Sequence, residues 1–173
     1  FYRQLVDIFK GKVDYYLIET STDFRHVQKI CEIIRENDKI TNIIASLYIN
    51  ESNKENINRY FNLDIHGIFF NCCSFPNLID FYEKYLRHKD FEGKKFGFSC
   101  NKINEKKYAE NSDVSKLQNY KINRNITVDK LLEFLNSLDF EEVFLGGCCG
   151  YGVQEMKELI VMIPKIETIN KNQ

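Results

Sequence analysis

The sequence has almost no net charge and no long apolar run. Its 24 basic and 25 acidic residues give a formal net charge of -1, so nothing in its electrostatics favours binding to nucleic acid or to an anionic membrane. No apolar stretch approaches the ~20 residues that a membrane-spanning helix needs. We expect no signal peptide, because Phe1 opens directly into an amphipathic pattern. These features predict a cytoplasmic protein with neither a membrane nor a nucleic acid as its partner.

The sequence also lacks an initiator methionine and any linker. Only 2 prolines and 8 glycines occur in 173 residues, and no stretch rich in Pro, Gly or Ser divides the chain. A composition of 43% hydrophobic and 28% charged residues is typical of a globular domain with a hydrophobic core. We interpret residues 1–173 as a single domain. Because the sequence starts within the element pattern of a larger fold, we expect it to be a fragment.

Short apolar runs alternate with amphipathic patterns of helical spacing. The predicted strands cover residues 13–18, 43–49, 66–72, 95–99 and 143–145. The predicted helices cover residues 2–10, 24–34, 54–61, 76–86, a segment from about 127 to 138, and 153–163. This alternation predicts an α/β fold with a parallel sheet that helices cover. The polar stretch 101–126 is interpreted as a long loop at the carboxyl edge of the sheet.

Cysteines collect where the predicted strands end. The chain has 6 cysteines, of which Cys72-Cys73 and Cys148-Cys149 are adjacent pairs. Adjacent cysteines rarely bridge each other, and clustered thiols in a reducing compartment more often indicate a metal site or catalysis. The carboxyl ends of parallel strands are also where functional residues of α/β folds lie. We therefore expect a functional site built from these thiols.

Cys72 ends the third predicted strand, and Cys148 and Cys149 follow the fifth. Alternate strands of a closed barrel contribute inward side chains to the same layer, so the three thiolates could converge. Three sulfurs suit Zn2+ with its fourth position open to a substrate. A substrate thiol bound at that position would lose its proton at neutral pH.

Three segments resemble signatures of the homocysteine S-methyltransferase family: Asp14–Thr20, Gly67–Cys72 and Gly146–Gly150. That family is a zinc-dependent TIM (β/α)8 barrel, and it includes the betaine-dependent enzyme and the homocysteine domain of methionine synthase. The resemblance implies that this chain is the carboxyl-terminal part of such a homocysteine-binding barrel. About five βα units would be present, and the amino-terminal strands would be absent.

The resemblance also implies which residues form the site. Cys72, Cys148 and Cys149 would be the zinc ligands, and no catalytic residue would be needed beyond this metal site. Glu19, together with Thr20, would bind the substrate near its amino group. Asn101 resembles the asparagine that follows the seventh strand of the family and would also contact the substrate.

The implied activity is transfer of a methyl group to the zinc-activated thiol of homocysteine, giving methionine. The implied partners are therefore homocysteine and a small-molecule methyl donor. The donor is left open among S-methylmethionine, S-adenosylmethionine, betaine and a folate. The missing amino-terminal half of the barrel or a second copy of the chain would complete the fold.

Other interpretations of the same residues stay open. Gly146–Gly150 could cradle a phosphate, although its glycine spacing does not match Gly-x-Gly-x-x-Gly. Glu19 could cap the helix that follows it, and Cys72 alone could be a small buried apolar side chain. The alternative functional hypothesis is a truncated or degenerate barrel that binds zinc or a partner chain without catalysis.

The remaining cysteines and histidines are expected to have no part in the chemistry. Cys31 and Cys73 are predicted to pack in the core, and Cys100 to lie near the site without being a ligand. The three histidines (His26, His66 and His88) are not placed where a catalytic base is expected. We interpret them as surface or hydrogen-bonded polar residues.

Overall fold

The computed structural model of the protein describes residues 1–89, 91, 93–101, 128–138, 140, 142–154, 156–157 and 161. Five strands form one parallel sheet. They are β1 (Tyr15–Ser21), β2 (Asn42–Leu47), β3 (Gly67–Ser74), β4 (Lys95–Asn101) and β5 (Val143–Gly147). The helices are α1 (Tyr2–Phe9), α2 (Phe24–Asn37), α3 (Glu51–Phe61), α4 (Phe75–Phe81) and α5 (Val128–Ser137). A π-helical turn (Tyr82–Leu86) continues α4.

The predicted alternation of strands and helices is confirmed, with shifts at the element ends. The strands β1 and β3 continue past their predicted ends, so that Glu19 and Thr20 lie inside β1. Residues 153–154, 156–157 and 161 of the predicted last helix are helical. Its other residues, and the predicted loop over 102–126, lie outside the described residues.

Three helices start with a side-chain N-cap shortly after the strand that precedes them. The Asp23 carboxylate accepts a hydrogen bond from the backbone of Arg25 at 2.7 Å at the start of α2. The Ser74 hydroxyl accepts one from the backbone of Asn77 at 3.4 Å at the start of α4. Asn50 caps α3 in the same way. These caps satisfy exposed helix N–H groups and keep the βα turns short, so the strand ends stay together.

The strands follow one another across the sheet in chain order, β1-β2-β3-β4-β5, and every neighbouring pair is parallel. A doubly wound sheet would reverse its strand order at a switch point. A sequential order with helices over one face is the arrangement of consecutive units of a (β/α)8 barrel. The fold is therefore α/β of the barrel type, as predicted.

The two faces of the sheet differ in how much of their apolar surface is buried. The helices cover one face and bury a core that includes Ile43, Ile68 and Phe96. The opposite face corresponds to the interior of a barrel and leaves Leu17 52% and Phe144 37% exposed. A Cβ at Gly97 on that face would lie 2.8 Å from the Phe144 Cβ, so only glycine allows this close approach. Within the described residues, no helix is long and apolar enough to cross a membrane.

Candidate metal centre

A β-bulge lies at the carboxyl end of β3. Asn71 pairs with Ser99 of β4, and Ser74 pairs with Asn101, so three steps along β3 match two steps along β4. The bulge contains Cys72, whose φ of 55° lies in the left-handed region. A residue other than glycine rarely adopts this conformation, which occurs most often at functional sites. Bulges of this kind re-aim a side chain at the end of a strand.

The two adjacent cysteines of β3 point to opposite faces of the sheet. The Cys72 side chain is half-buried at the carboxyl end of the sheet, whereas Cys73 is 1% exposed and belongs to the hydrophobic core. The prediction that Cys73 packs in the core is confirmed. The same holds for Cys31, which is also buried in the core. Cys100, which was predicted to lie near the site without being a ligand, is buried in the core as well, and its carbonyl accepts a hydrogen bond from the backbone N–H of Cys148.

The strand β1 carries a second bulge of the same form. Three steps from Ile18 to Ser21 match two steps along β2, and Thr20 has a φ of 53°. The Asn71 side chain joins the two bulges, because its Nδ2 donates a hydrogen bond to Thr20 Oγ1 at 2.5 Å. The ends of β1 and β3 are therefore held together at the level of Cys72.

A tight turn after β5 positions Cys148 and Cys149. The backbone N–H of Cys148 donates to the carbonyl of Cys100 at 3.0 Å, and the N–H of Tyr151 donates to the carbonyl of Cys148 at 2.9 Å. Gly150 has a φ of 87°, which glycine adopts without strain. The first of these hydrogen bonds fixes the turn against the end of β4, and the second closes it.

The two glycines before the cysteines, Gly146 and Gly147, allow close contacts. A Cβ at Gly146 would lie 2.4 Å from Ser99 Oγ, and one at Gly147 would lie 2.3 Å from Tyr151 Cγ. Both distances are too short for carbon in van der Waals contact. The space left by the missing side chains is therefore filled by Ser99 and by the ring of Tyr151.

The three predicted ligand sulfurs converge in space. The Sγ atoms of Cys72 and Cys148 are 2.7 Å apart, those of Cys148 and Cys149 are 4.0 Å apart, and all three lie within 4.8 Å of one another. With Zn–S bonds of about 2.3 Å, tetrahedral geometry separates two sulfurs by about 3.8 Å. The Cys148–Cys149 distance matches this value. The Cys72–Cys148 pair would open by about 1 Å around a metal ion.

Burial and mutual proximity keep the thiols of Cys72 and Cys149 protonated in the metal-free cluster. Burial raises the pKa of the Cys72 thiol to about 12, and the nearby sulfurs of Cys148 and Cys149 add to the shift. Burial and the Cys148 sulfur also raise the pKa of Cys149. A divalent cation would reverse this balance, because a coordinating thiol is deprotonated outright. Three soft sulfur donors are the set that Zn2+ accepts, so the residues present fit zinc.

Asn101 ties together the two segments that carry the cysteines. Its Nδ2 donates to the carbonyl of Cys72 at 2.9 Å, and its Oδ1 accepts from the backbone N–H of Cys149 at 3.1 Å. The structure thus places this predicted site residue against the backbone of two of the three cysteines. Its contact with a substrate stays a prediction.

Glu19 and Thr20 lie at the end of β1, where the sequence predicted substrate contacts. Both are exposed, and both line a cavity of about 470 Å3 between β1 and α1. Thr20 is connected to the cysteine cluster through Asn71, whereas Glu19 lines the cavity beside it. Their roles in substrate binding also stay predictions.

Two of the three histidines make hydrogen bonds to residues outside the cysteine cluster. His26 Nε2 lies 3.1 Å from the hydroxyl of Tyr2, and His66 Nδ1 accepts from the backbone N–H of Ile43 at 3.2 Å. Both are polar residues with partners, as the sequence analysis interpreted them.

Sequence reasoning missed Asn71 as a separate site residue. It lies within the Gly67–Cys72 signature with no role assigned to it from the sequence, yet it is 3% exposed and contacts both Thr20 and Cys72. The available signal was its position, because a polar amide directly after the buried Phe70 interrupts an apolar strand.

The family model described as homocysteine S-methyltransferase matches residues 1–162. The chain belongs to the homocysteine S-methyltransferase family. A search of curated proteins found no match for this family member. Among solved structures, it is similar to xylanase 10B from Thermotoga petrophila RKU-1 in complex with xylobiose, with 13% identity and a TM-score of 0.44. That match covers 84% of this chain and 51% of the xylanase chain, so this family member spans about half of that length.

Proposed function

We propose that the protein transfers a methyl group to the thiol of homocysteine, giving methionine, at a zinc site formed by Cys72, Cys148 and Cys149. The observation that carries this proposal is the convergence of the three sulfurs within 4.8 Å. They come from two distant parts of a chain that the family model matches over residues 1–162. A cluster of this composition has little use in packing, since burial alone would be satisfied by apolar side chains.

The residues of the chain hold the site in place and leave one side of it open. Bound zinc would lower the pKa of the substrate thiol and so supply a thiolate at neutral pH. The bulge at Cys72 and the turn at Cys148 and Cys149 orient the three sulfurs, and Asn101 holds both segments by their backbones. All three cysteines are half-buried, which leaves room for a substrate sulfur.

The end of β1 is the proposed place for the amino acid part of homocysteine. Glu19 offers a carboxylate for the ammonium group, and Thr20 lies beside it at the bulge. The hydrogen bond between Asn71 and Thr20 supports this assignment because it brings the end of β1 next to Cys72. Fixing both substrates over the cluster would convert their reaction into an effectively unimolecular step. The proposed compartment is the cytoplasm, where the thiols stay reduced.

A second candidate function is zinc binding or partner binding without catalysis. The observation that favours it is the open inner face of the sheet, where Leu17 and Phe144 are exposed. Within the described residues, β1 and β5 are also the two edges of the sheet. An amino-terminal barrel half or a second copy of this chain would cover that face and complete the barrel.

Metal analysis together with a methionine-formation assay tests the proposal. The wild-type chain should contain about one zinc per chain, and the Cys148→Ala variant should contain none. The assay should offer homocysteine with S-methylmethionine, S-adenosylmethionine, betaine and a methylated folate in separate reactions. Methionine should form with at least one donor.

The Cys31→Ala variant is the matched control, since this cysteine lies in the core away from the cluster, and it should keep its zinc. Zinc without methionine for any donor, in the chain or in the chain supplied with an amino-terminal barrel half, would favour the second function. A wild-type chain that binds no zinc would overturn the proposal.

A further inference from the structure

We propose that Asn71 is a positioning residue of the metal centre: its amide nitrogen holds the Cys72 sulfur in its ligand position and ties it to Thr20 of β1. The proposal rests on the zinc site proposed above. It adds a residue that touches a ligand without being one.

The contacts of Asn71 use both hydrogens of its amide nitrogen. Nδ2 donates one hydrogen bond to Thr20 Oγ1 at 2.5 Å and a second to Cys72 Sγ at 3.7 Å. The second distance is long for oxygen but suits the larger sulfur atom. A thiolate ligand that accepts an N–H hydrogen bond is held in one orientation, and such outer contacts are part of the design of metal sites.

The oxygen of the same amide shows that packing alone does not explain this residue. Asn71 is 3% exposed, and its Oδ1 has no hydrogen-bond partner within the described part of the chain. A buried acceptor without a partner costs about 1–3 kcal/mol. An apolar side chain of the same shape would avoid that cost, so the nitrogen must provide something that offsets it.

The orientation of the amide follows from the charge of the ligand. Exchanging nitrogen and oxygen would point Oδ1 at the Cys72 sulfur, and a carbonyl oxygen repels a thiolate. Only the nitrogen can face a metal-bound sulfur favourably. The observed arrangement is therefore the one that a thiolate ligand requires.

The unusual backbone conformation around Asn71 explains what its two hydrogen bonds stabilise. Asn71 lies between two residues of positive φ, Thr20 and Cys72, one in each bulge. Positions of this kind persist only where the surroundings over-determine them. The Asn71 amide contacts both side chains, so a single group holds the ligand and the neighbouring strand end in register.

The test measures metal binding by the full chain, with no homocysteine or methyl donor present. Asn71→Leu keeps the approximate shape and removes both N–H donors. Thr20→Val removes the other end of the link and keeps a β-branched side chain at that position. Asn37→Leu is the matched control, because Asn37 Nδ2 donates to the carbonyl of Ile33 within α2, away from the cluster.

Two readouts are compared among these variants, after circular dichroism has checked their folding. Competition with a chromophoric chelator gives the zinc affinity, and the Co2+-loaded protein gives the sulfur-to-metal charge-transfer band. Asn71→Leu should bind zinc roughly 10–100-fold more weakly. Its charge-transfer band should move to longer wavelength, because the lost hydrogen bond no longer stabilises the sulfur lone pairs. Thr20→Val should change both readouts less in the same direction, and Asn37→Leu should change neither.

Wild-type affinity and an unshifted band in Asn71→Leu would overturn the inference. If Asn71→Leu does not fold, Thr20→Val decides in its place, and an unchanged affinity and band would again overturn it. A wild-type chain that binds no zinc would overturn this inference and the proposed function together. Tight zinc binding without methionine formation would overturn the proposed reaction alone.

Discussion

The two adjacent cysteine pairs have the same sequence and opposite structural outcomes. In β3 the pair is divided, since Cys72 reaches the cluster and Cys73 is buried in the core. After β5 both members of the pair, Cys148 and Cys149, belong to the cluster. The difference arises from the backbone: neighbouring side chains of a strand point to opposite faces, whereas a turn beyond a strand can bring them together.

This comparison shows what the local backbone contributes to a metal site. Neighbouring side chains of a regular strand point to opposite faces, so a strand can supply one ligand from such a pair. The turn after β5 is free of that alternation. Gly150 permits the turn with its φ of 87°, and the backbone of Cys148 is fixed to that of Cys100. One strand and one turn thus supply the three sulfurs of the cluster.

The largest expected effect is on zinc affinity, and it comes from removing Cys72, the proposed ligand of the first cysteine pair. Cys72→Ala should weaken zinc binding by more than about 100-fold, which exceeds the loss expected for a residue outside the ligand set. The reason is that one of three sulfur ligands is lost. Chelator competition on the folded variant measures this, and an affinity close to that of the wild type would show that Cys72 is not a ligand.

The same substitution at the neighbouring cysteine should act on stability instead. Cys73→Ala should lower the free energy of unfolding by about 1 kcal/mol, because a buried sulfur leaves a small cavity. Its zinc affinity should equal that of the wild type. Urea unfolding of the metal-free chain, set beside chelator competition, separates the two effects. A large loss of zinc affinity here would mean that β3 does not divide the pair between the cluster and the core.

The position of the turn that carries Cys148 and Cys149 can be tested by substituting the two glycines that precede it. In Gly147→Ala the new Cβ would overlap the ring of Tyr151, so the turn must shift and zinc affinity should fall by roughly 10-fold or more. Gly146→Ala meets chiefly the hydroxyl of Ser99, which can rotate away, and should cost less. Chelator competition on both variants gives the order, and a reversed order would contradict this account of the turn.

The smallest expected effect is on the pH dependence of stability. It comes from His66, which directly precedes β3 and so lies at the opposite end of that strand from Cys72. Burial lowers the pKa of His66, whose Nδ1 accepts a backbone hydrogen bond. With a folded-state pKa below the unfolded value of about 6.5, the unfolded state binds more protons as the pH falls. Stability should therefore be complete above about pH 6.5 and decline below it.

Urea unfolding of the metal-free chain between about pH 7.5 and 5.5 measures this dependence on both sides of the reference pKa. His66→Asn should flatten it. A stability that rises as the pH falls through this range would contradict the stated direction of the shift. Because the metal is absent, the measured pH dependence contains no contribution from metal binding.

The sequence predicted most of the fold and the members of the cysteine cluster. Apolar runs between amphipathic segments indicated the strands, and adjacent cysteines at strand ends indicated a thiol site. The bulges could not be predicted, because nothing in the residue types of Thr20 or Cys72 favours a positive φ. That conformation is imposed by the pairing of β1 and β3 with their neighbours.

The role of Asn71 escaped prediction for the same reason. Its contacts join residues 51 positions apart, and they form only once the two bulges lie side by side. Asn101 is similar, since its side chain bonds to the backbones of Cys72 and Cys149. Almost every residue type offers the same backbone hydrogen-bonding groups, so the identities of the partner residues do not indicate such contacts.

The central claim is that sulfurs from β3 and from the turn after β5 share one metal ion. X-ray absorption at the zinc edge of the loaded protein tests this most directly, because it counts the sulfur neighbours of zinc. The account predicts three sulfurs at about 2.3 Å in the wild type and two in Cys72→Ala loaded at high zinc concentration. A wild-type shell of nitrogen and oxygen, or a sulfur count that Cys72→Ala leaves unchanged, would contradict it.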